Sequence, residues 1–541
     1  LWHVGNEFGC HNLMCFCDTS AEHFRVWLRG RYSTLDELNG AWGTSFWSQR
    51  YTDWVDVIPP RITTAIPNPS AELDWQRFCS DAHLEHYRAE RDLLHERSPG
   101  VPVTTNFMVN HSVTGLDYRQ WASDQDIVSN DHYLANHLPT PHTELAMSAD
   151  VTRSLAGGEP WILMEHSTSA VNWQSVNTAK APGQMMRDSL SNVARGADVV
   201  AFFQWRASRA GAEKYHSAML GHAGTQSRVF REVSELGAVL QRCAPLAGSH
   251  TAARAAFVYD WESMWSTDAA STPSQEHRYL DEVRAWYDAL WRAGVTCDGV
   301  GPEDDLSGYS LIVAPSLHLV RDESAEAIAQ AARGGAHVLI TYFSGTVDER
   351  DHIRLGGYPG AFRELLGIRM EEFAPLLPGD TVSLSADHGG VLPPLNDITA
   401  SVWSERGEAL EGTEVLATFA TGPAQGSPAV TRRPVGQGSA WYVSTRLAPD
   451  GLDAVVEALV GISGIEPVLR DRPAGVEVVQ RVSGDEEWTF VIDHGGVGAA
   501  VDIEGIDLVS GQPSTTQQPL ILDPGGCAVI HARGTNEENR A

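Results

Sequence analysis

Two glutamates each close an apolar run: Glu7 follows Leu1-Trp2-His3-Val4-Gly5-Asn6, and Glu165 follows Trp161-Ile162-Leu163-Met164. An apolar run that empties into a polar end reads as a buried parallel strand delivering its last side chain to a functional loop. Two carboxyls in one site, one protonated and one ionised, can serve as general acid and nucleophile. Cleavage of a glycosidic bond through a covalent intermediate needs such a pair, with its members about 5 to 5.5 Å apart. Each run alone also has a plainer reading: Glu7 as the end of an edge strand, and Glu165 as an acid favoured at a helix N-terminus.

The elements around the two glutamates must bring them together. Phe24, Trp27, Leu28 and Tyr32, then Leu35, Leu38 and Trp42, recur at helical spacing and are divided by a cap signal at Ser33-Thr34, which predicts two helices. After an irregular Trp-rich stretch from Trp42 to Pro60, a long helix is expected between Ala71 and Arg97, stopped by Ser98-Pro99-Gly100. Strand-like segments at Pro102 to Phe107, Ile127 to Tyr133, Trp161 to Glu165 and Val199 to Gln204 then alternate with helical patterns near 143–155, 183–195 and 227–242. With Leu1 to Asn6, that makes five β/α units and implies a parallel sheet.

Polar or aromatic residues stand at the ends of all five strands: Asn6-Glu7, Asn106, Asp131 to Tyr133, Glu165, and Gln204-Trp205. Catalytic residues of a (β/α)8 TIM barrel sit at such strand ends. A doubly wound sheet also places polar groups there, but no Gly-rich phosphate turn follows the first strand. The expected fold of this α/β region is therefore a TIM barrel. The chain opens without an initiator Met directly on an apolar run, so it is read as a partial barrel, from strand 4 onward. On that reading the chain expressed alone is expected to aggregate or to bind sugar poorly, since open parallel sheets leave raw edges.

The motif Trp2-His3-Val4-Gly5-Asn6-Glu7-Phe8-Gly9, with Cys15-Phe16-Cys17, Phe24-Arg25-Val26-Trp27-Leu28, Leu38-Asn39 and Trp42-Gly43-Thr44-Ser45-Phe46-Trp47-Ser48-Gln49, resembles glycoside hydrolase family 42, the retaining β-galactosidases. Leu163-Met164-Glu165-His166-Ser167 and Val171-Asn172-Trp173 are similar to the same family. The resemblance implies that Glu7, closing the fourth strand, is the acid/base and that Glu165, closing the seventh, is the nucleophile. Asn6 would then bond the sugar 2-hydroxyl. Glu213 and His216 resemble the pair that grips galactose hydroxyls, and their spacing lets them face one way on a helical turn. Trp47 and Trp173 resemble the aromatic walls of the pocket, joined by Tyr133 and Phe203.

The reaction implied is hydrolysis of terminal non-reducing β-D-galactose, with no cofactor required. Alternatives are an inactive glycan-binding or assembly protein, or a related retaining glycosidase with β-glucoside or α-arabinoside preference. Several family members hold a structural zinc through a Cys-x-Cys-x-x-Cys run, close to tetrahedral thiolate ligation. Here the third position is Ser20, a poor ligand; Cys10, His11, Asp18 and His23 are the alternative donors for a zinc, and the preferred reading is a degenerate site in which Cys15 and Cys17 are a pair of reduced, buried thiols.

The barrel region is read as residues 1–248. From 249 to 467 the strands Ala255 to Tyr259, Leu311 to Ala314 and Val338 to Tyr342 alternate with helices near 276–293 and 323–333, a second α/β domain of flavodoxin-like or amidotransferase-like order. The amidotransferase nucleophile would be a Cys on a sharp turn after a strand; the comparable turn is Tyr342-Phe343-Ser344-Gly345, so no catalysis is expected. The resemblance implies a trimer-forming domain and hence a homotrimer, with Trp261, Met264 and Trp265 either facing the neighbour or lying in a loop. Residues 468–541 alternate with period two and predict a small antiparallel β domain, ending in a polar tail from Gly534 expected to fray.

Composition narrows the partners. The 541 residues exceed a single core at roughly 150 per domain. The net charge of −31 repels nucleic-acid phosphates and anionic membrane surfaces. No apolar run reaches the roughly 18 residues of a membrane span. Seven scattered cysteines point to a reducing compartment, by default the cytoplasm. Seventeen tryptophans outnumber Phe and Tyr, and their flat faces can line a core or stack on a sugar.

Overall fold

The computed structural model describes residues 1–109, 115–386, 391–392, 398–469 and 472–533; the polar tail lies outside them. Its first region contains six short strands: β1 (Trp2–His3), β2 (Val103–Thr104), β3 (Asn106–Phe107), β4 (Ser129–His132), β5 (Trp161–His166) and β6 (Ala197–Val200). Neighbours pair in parallel, β1 with β2, then β3, β4, β5 and β6 in turn. β2 and β3 are halves of one segment divided at Thr105. Among the described residues β1 and β6 stand at opposite ends of this array. The first strand is shorter than expected, so Asn6 and Glu7 lie in the loop beyond it. The last begins at Ala197 and ends before Phe203.

Between the strands run α1 (Asp18–Tyr32), α2 (Leu35–Ala41), α3 (Pro69–Arg97), α4 (Tyr118–Ala122), α5 (Pro141–Leu155) and α6 (Gln184–Ala194), with α7 (Arg228–Arg242) after β6. Their starts follow capping chemistry. The Thr34 hydroxyl accepts from Glu37 N–H to open α2, and Asn68 accepts from Ala71 N–H to open α3, with Pro69 in the first turn. α1 buries Ala21, Phe24, Leu28 and Tyr32 on one face. That face packs with Leu38, Trp42, Trp75 and Phe78 into a core of its own. Asp74, wholly buried inside it, accepts from Tyr32 Oη and Trp42 Nε1 and pairs with Arg77.

The second region has five parallel strands ordered Cys297–Val300, Ala255–Val258, Leu311–Ala314, His337–Thr341 and Gly438–Val443. In chain order that is 2-1-3-4-5, the flavodoxin-like arrangement. Five further strands extend the sheet by antiparallel pairing, from Pro428–Val435 through Glu414–Phe419, Thr381–Ala386 and Thr399–Ser401 to Arg446–Leu447. Trp261 and Met264 are buried on a helix in the chain's own core, so these two project neither to a neighbour nor from a loop. The last region is antiparallel, centred on Val476–Ser483, Glu486–Asp493 and Cys527–Arg533.

Buried ion pairs join the regions. Arg153 on α5 bonds Asp150, Asp298 and the Cys297 carbonyl, and Arg195 bridges Asp150 to Glu477 of the last region. Glu477 also accepts from Ser191 Oγ and lies 2.7 Å from His494 Nε2. Burial opposes its charge, but Arg195 and His494 prevail and hold its carboxyl down at about 2. A depressed carboxyl contributes stability that is present above its ordinary pKa and lost as pH falls through the folded value. From about 4.5 down to about 2 this amounts to about 3 kcal/mol. Glu477→Gln is expected to lower the urea midpoint at pH 7, by leaving Arg195 less compensated, and to flatten its fall between pH 5 and pH 3. An unchanged slope in that window would contradict this account.

Candidate active site

The loop after β1 is built to turn sharply. Gly5 has φ +61°, and a Cβ there would fall 2.5 Å from the Phe8 ring, so only glycine fits. Glu7 is itself left-handed at φ +47°, a conformation that other contacts must hold. Asn106 at the start of β3 supplies them. Its Oδ1 accepts from Glu7 N–H at 2.9 Å and lies 2.9 Å from His3 Nε2. Its Nδ2 donates to Asn6 Oδ1 at 3.1 Å and to Asp131 Oδ2 at 2.5 Å. One amide thus ties three strand ends together.

Glu165 lies on β5, half-buried. Tyr133, directly after β4, donates its hydroxyl to Glu165 Oε2 at 2.6 Å. Oxygen atoms of Glu7, Asp131 and Glu165 all lie within 4.8 Å of one another. Burial raises the Glu165 carboxyl and the Glu7 charge adds to this; the Tyr133 hydroxyl and His3 oppose it. Behind β5, His166 Nδ1 lies 3.0 Å from the His132 carbonyl. Its Nε2 is 3.1 Å from Lys180 Nζ, and that buried ammonium pairs with Asp188 at 2.9 Å. Burial pushes both His166 and Lys180 down.

Four of the expected pocket residues meet. His216 stacks on Trp173 at 5.1 Å between centroids. Tyr133 stands edge-on to both, at 4.7 Å from Trp173 and 5.8 Å from His216. Phe203 meets His216 edge-on at 5.0 Å. The His216 ring nitrogens are held by protein, at 3.2 Å from Asn172 Oδ1 and 3.1 Å from the Phe203 carbonyl. Glu213 is exposed, and it reaches His216 through an irregular turn closed by His216 N–H to the Glu213 carbonyl, not along a helix. It still acts electrostatically on Glu165. Trp47 stands apart: it is 61% exposed and packs on Phe46, with no ring contact to the other four among the described residues.

Cys15 and Cys17 are exposed, which corrects the expected burial, and their sulfurs lie 3.3 Å apart. Cys17 caps α1, and hydrogen bonds from Ser20 draw its thiol down to about 7. Among the described residues no third His, Cys, Asp or Glu ligand atom lies within 4.8 Å of both thiols. Asn106, Asp131 and Lys180 are the site residues that sequence reasoning left without a role. The signal for the first two was their place at the end of a strand.

A family model described as β-galactosidase matches residues 1–243, and one described as β-galactosidase trimerisation domain matches 253–466. A β-galactosidase of Arthrobacter sp is 49% identical over 531 residues, 98% of this chain and 74% of that protein. The β-galactosidase bgaB of Geobacillus kaustophilus is 41% identical over 91% of this chain and 72% of its own length. The crystal structure of β-galactosidase from Bacillus circulans sp. alkalophilus superposes with a TM-score of 0.92 at 36% identity, covering 98% of this chain and 79% of that one. With parallel strand ends gathering carboxylates and matches of this extent, the chain belongs to glycoside hydrolase family 42, the β-galactosidases.

Proposed function

We propose that the chain hydrolyses terminal non-reducing β-D-galactosides by double displacement, with Glu165 as nucleophile and Glu7 as acid/base. The observation that carries this reading is the approach of the Glu7 and Glu165 oxygens to within 4.8 Å. That approach supports the short carboxyl separation of retaining enzymes, about 5 to 5.5 Å, over the longer one of inverting enzymes. Tyr133 fixes one Glu165 oxygen and leaves the other to attack the anomeric carbon. The C1–O bond breaks as Glu7 gives its proton to the leaving oxygen. Glu7 then takes a proton from the water that hydrolyses the galactosyl ester. Asn6, whose Oδ1 accepts from Asn106 Nδ2, bonds the 2-hydroxyl in this reading. Tyr133, Trp173, Phe203 and His216 form the apolar wall, and Glu213 approaches from the exposed rim.

In this reading β1 to β6 belong to a TIM-barrel catalytic domain over residues 1–248. Residues 249–467 form the trimerisation domain, supported by the family match over 253–466, and 468–541 a β domain of no catalytic role. The assembly is a homotrimer. Seven free cysteines fit a cytoplasmic location, and no described helix is long and apolar enough to cross a membrane. Proton NMR of the first product tests the mechanism: β-galactose is expected to form first and mutarotate later, while α-galactose as the first product would overturn it.

A further inference from the structure

The mechanism above leaves one buried acid unused. Asp131 closes β4 and is wholly buried. Its Oδ2 accepts from Asn106, but its Oδ1 meets no donor. The groups beside it are the Glu7 and Glu165 carboxylates. Carboxyl oxygens gathered within 4.8 Å of one another inside a protein repel when all are charged, which favours a pair that holds one proton in common. Asn106 fixes the geometry, since the same amide binds the Glu7 backbone and the Asp131 carboxyl.

The charges around Asp131 favour its neutral form. Burial acts most strongly, followed by the Glu165 charge and then the Glu7 charge, against the Asn106 hydrogen bond, and the carboxyl is raised well above the ordinary range. The other titratable groups that face it are Cys10, Tyr118 and Tyr133, all themselves raised by burial. His3 reaches it only through Asn106, and Glu213 acts one step away, on Glu165. Among these described neighbours no cation contacts Asp131 directly.

We propose that Asp131 is the resting place of the catalytic proton, sharing it with Glu7 and releasing it as Glu165 becomes esterified. This rests on the assignment of Glu7 and Glu165 above. In this proposal Asp131 is a positioning residue that acts through Glu7. In the first half-reaction the one shared proton passes from Asp131 onto Glu7 and from Glu7 to the leaving oxygen, so that the pair is left without a proton. Glu165 loses its negative charge on forming the ester, and Asp131 gains one. The charge of the three carboxyls is therefore constant, which avoids building a further charge in a buried site. In the second half-reaction water supplies the proton that returns through Glu7 to Asp131, and the Glu165 carboxylate is restored.

The test compares the full chain with its Asp131→Asn variant. Asparagine keeps the shape but holds no exchangeable acid proton. The basic limb of kcat/KM against pH is expected to move down by about one unit or more, because a like-charged neighbour no longer holds the proton. The acid limb is expected to stay in place. The kcat/KM for lactose, whose leaving group needs protonation, should fall about tenfold or more, and the kcat/KM for 2,4-dinitrophenyl β-galactoside, which reads the first step alone, less than about threefold. A profile of unchanged shape, with both substrates reduced alike, would overturn the proposal.

Should the variant not fold, the unmutated chain answers with carbon-13-labelled aspartate and infrared spectroscopy. A protonated-aspartate carbonyl band present in the free enzyme at neutral pH is expected to vanish when a 2-deoxy-2-fluoro-galactosyl group occupies Glu165. Labelling of Glu165 with the band unmoved would sink the Asp131 proposal alone. Failure to label Glu165 would instead sink the assignment beneath it.

Discussion

Glu165→Gln is expected to lower kcat for p-nitrophenyl β-galactoside by about 10⁴-fold or more, the scale seen when a nucleophile that works as part of a unit is removed. The amide is the same size as the carboxyl but cannot form the galactosyl ester. Tyr133, which donates to Glu165 Oε2, can donate equally to an amide oxygen, so the wall should stay in place and KM should change far less than kcat. Removing one of three clustered carboxyls relieves repulsion, so the variant should be at least as stable as the parent to heat. A variant that folds normally and retains a tenth of parental kcat would contradict the assignment of the nucleophile.

Glu7→Gln is expected to act selectively. General acid assistance contributes roughly 10² to 10⁴ where the leaving group is basic. Lactose hydrolysis should therefore fall by about that factor, while 2,4-dinitrophenyl β-galactoside, whose leaving group departs without a proton, should still form the galactosyl ester at close to the parental rate. Deglycosylation then lacks its base, so ester should accumulate after a burst. Added azide, a nucleophile that needs no base, should restore turnover and yield β-galactosyl azide. Equal loss on both substrates without azide rescue would show that Glu7 is not the acid/base.

Both expectations were readable in the chain because the signals are local. Asn68, Pro69 and the Ser98-Pro99-Gly100 stop mark the long helix α3, and Thr34 marks α2. Glu7 and Glu165 announce themselves as polar ends of apolar runs. Roles that depend on contact between distant strands were not legible. Asn106 and Asp131 are visible as polar strand ends, yet nothing in the sequence says that one amide joins β1, β3 and β4. The antiparallel half of the second sheet, from Thr381–Ala386 to Pro428–Val435, carries short strands interrupted by turns and charged residues, so periodicity does not single it out.

Aromatic residues are less legible. A tryptophan offers the same flat face to a core and to a sugar, and Trp75, Trp121, Trp161, Trp286, Trp403 and Trp441 are all wholly buried. Trp47, expected in the pocket wall, stands on an exposed turn and packs on Phe46. The Glu213 and His216 spacing suits a helical turn, but Gly211 at φ +95° sets an irregular one.

Mass spectrometry of the chain treated with 2,4-dinitrophenyl 2-deoxy-2-fluoro-β-galactoside tests the central claim most directly. The fluorine slows both steps, and the activated leaving group lets the first proceed, so the ester accumulates. The account predicts stoichiometric mass gain of one fluorogalactosyl group, located on Glu165 after proteolysis and absent in Glu165→Gln. Labelling of Glu7, of Asp131, or of no residue while the enzyme still hydrolyses galactosides would contradict it.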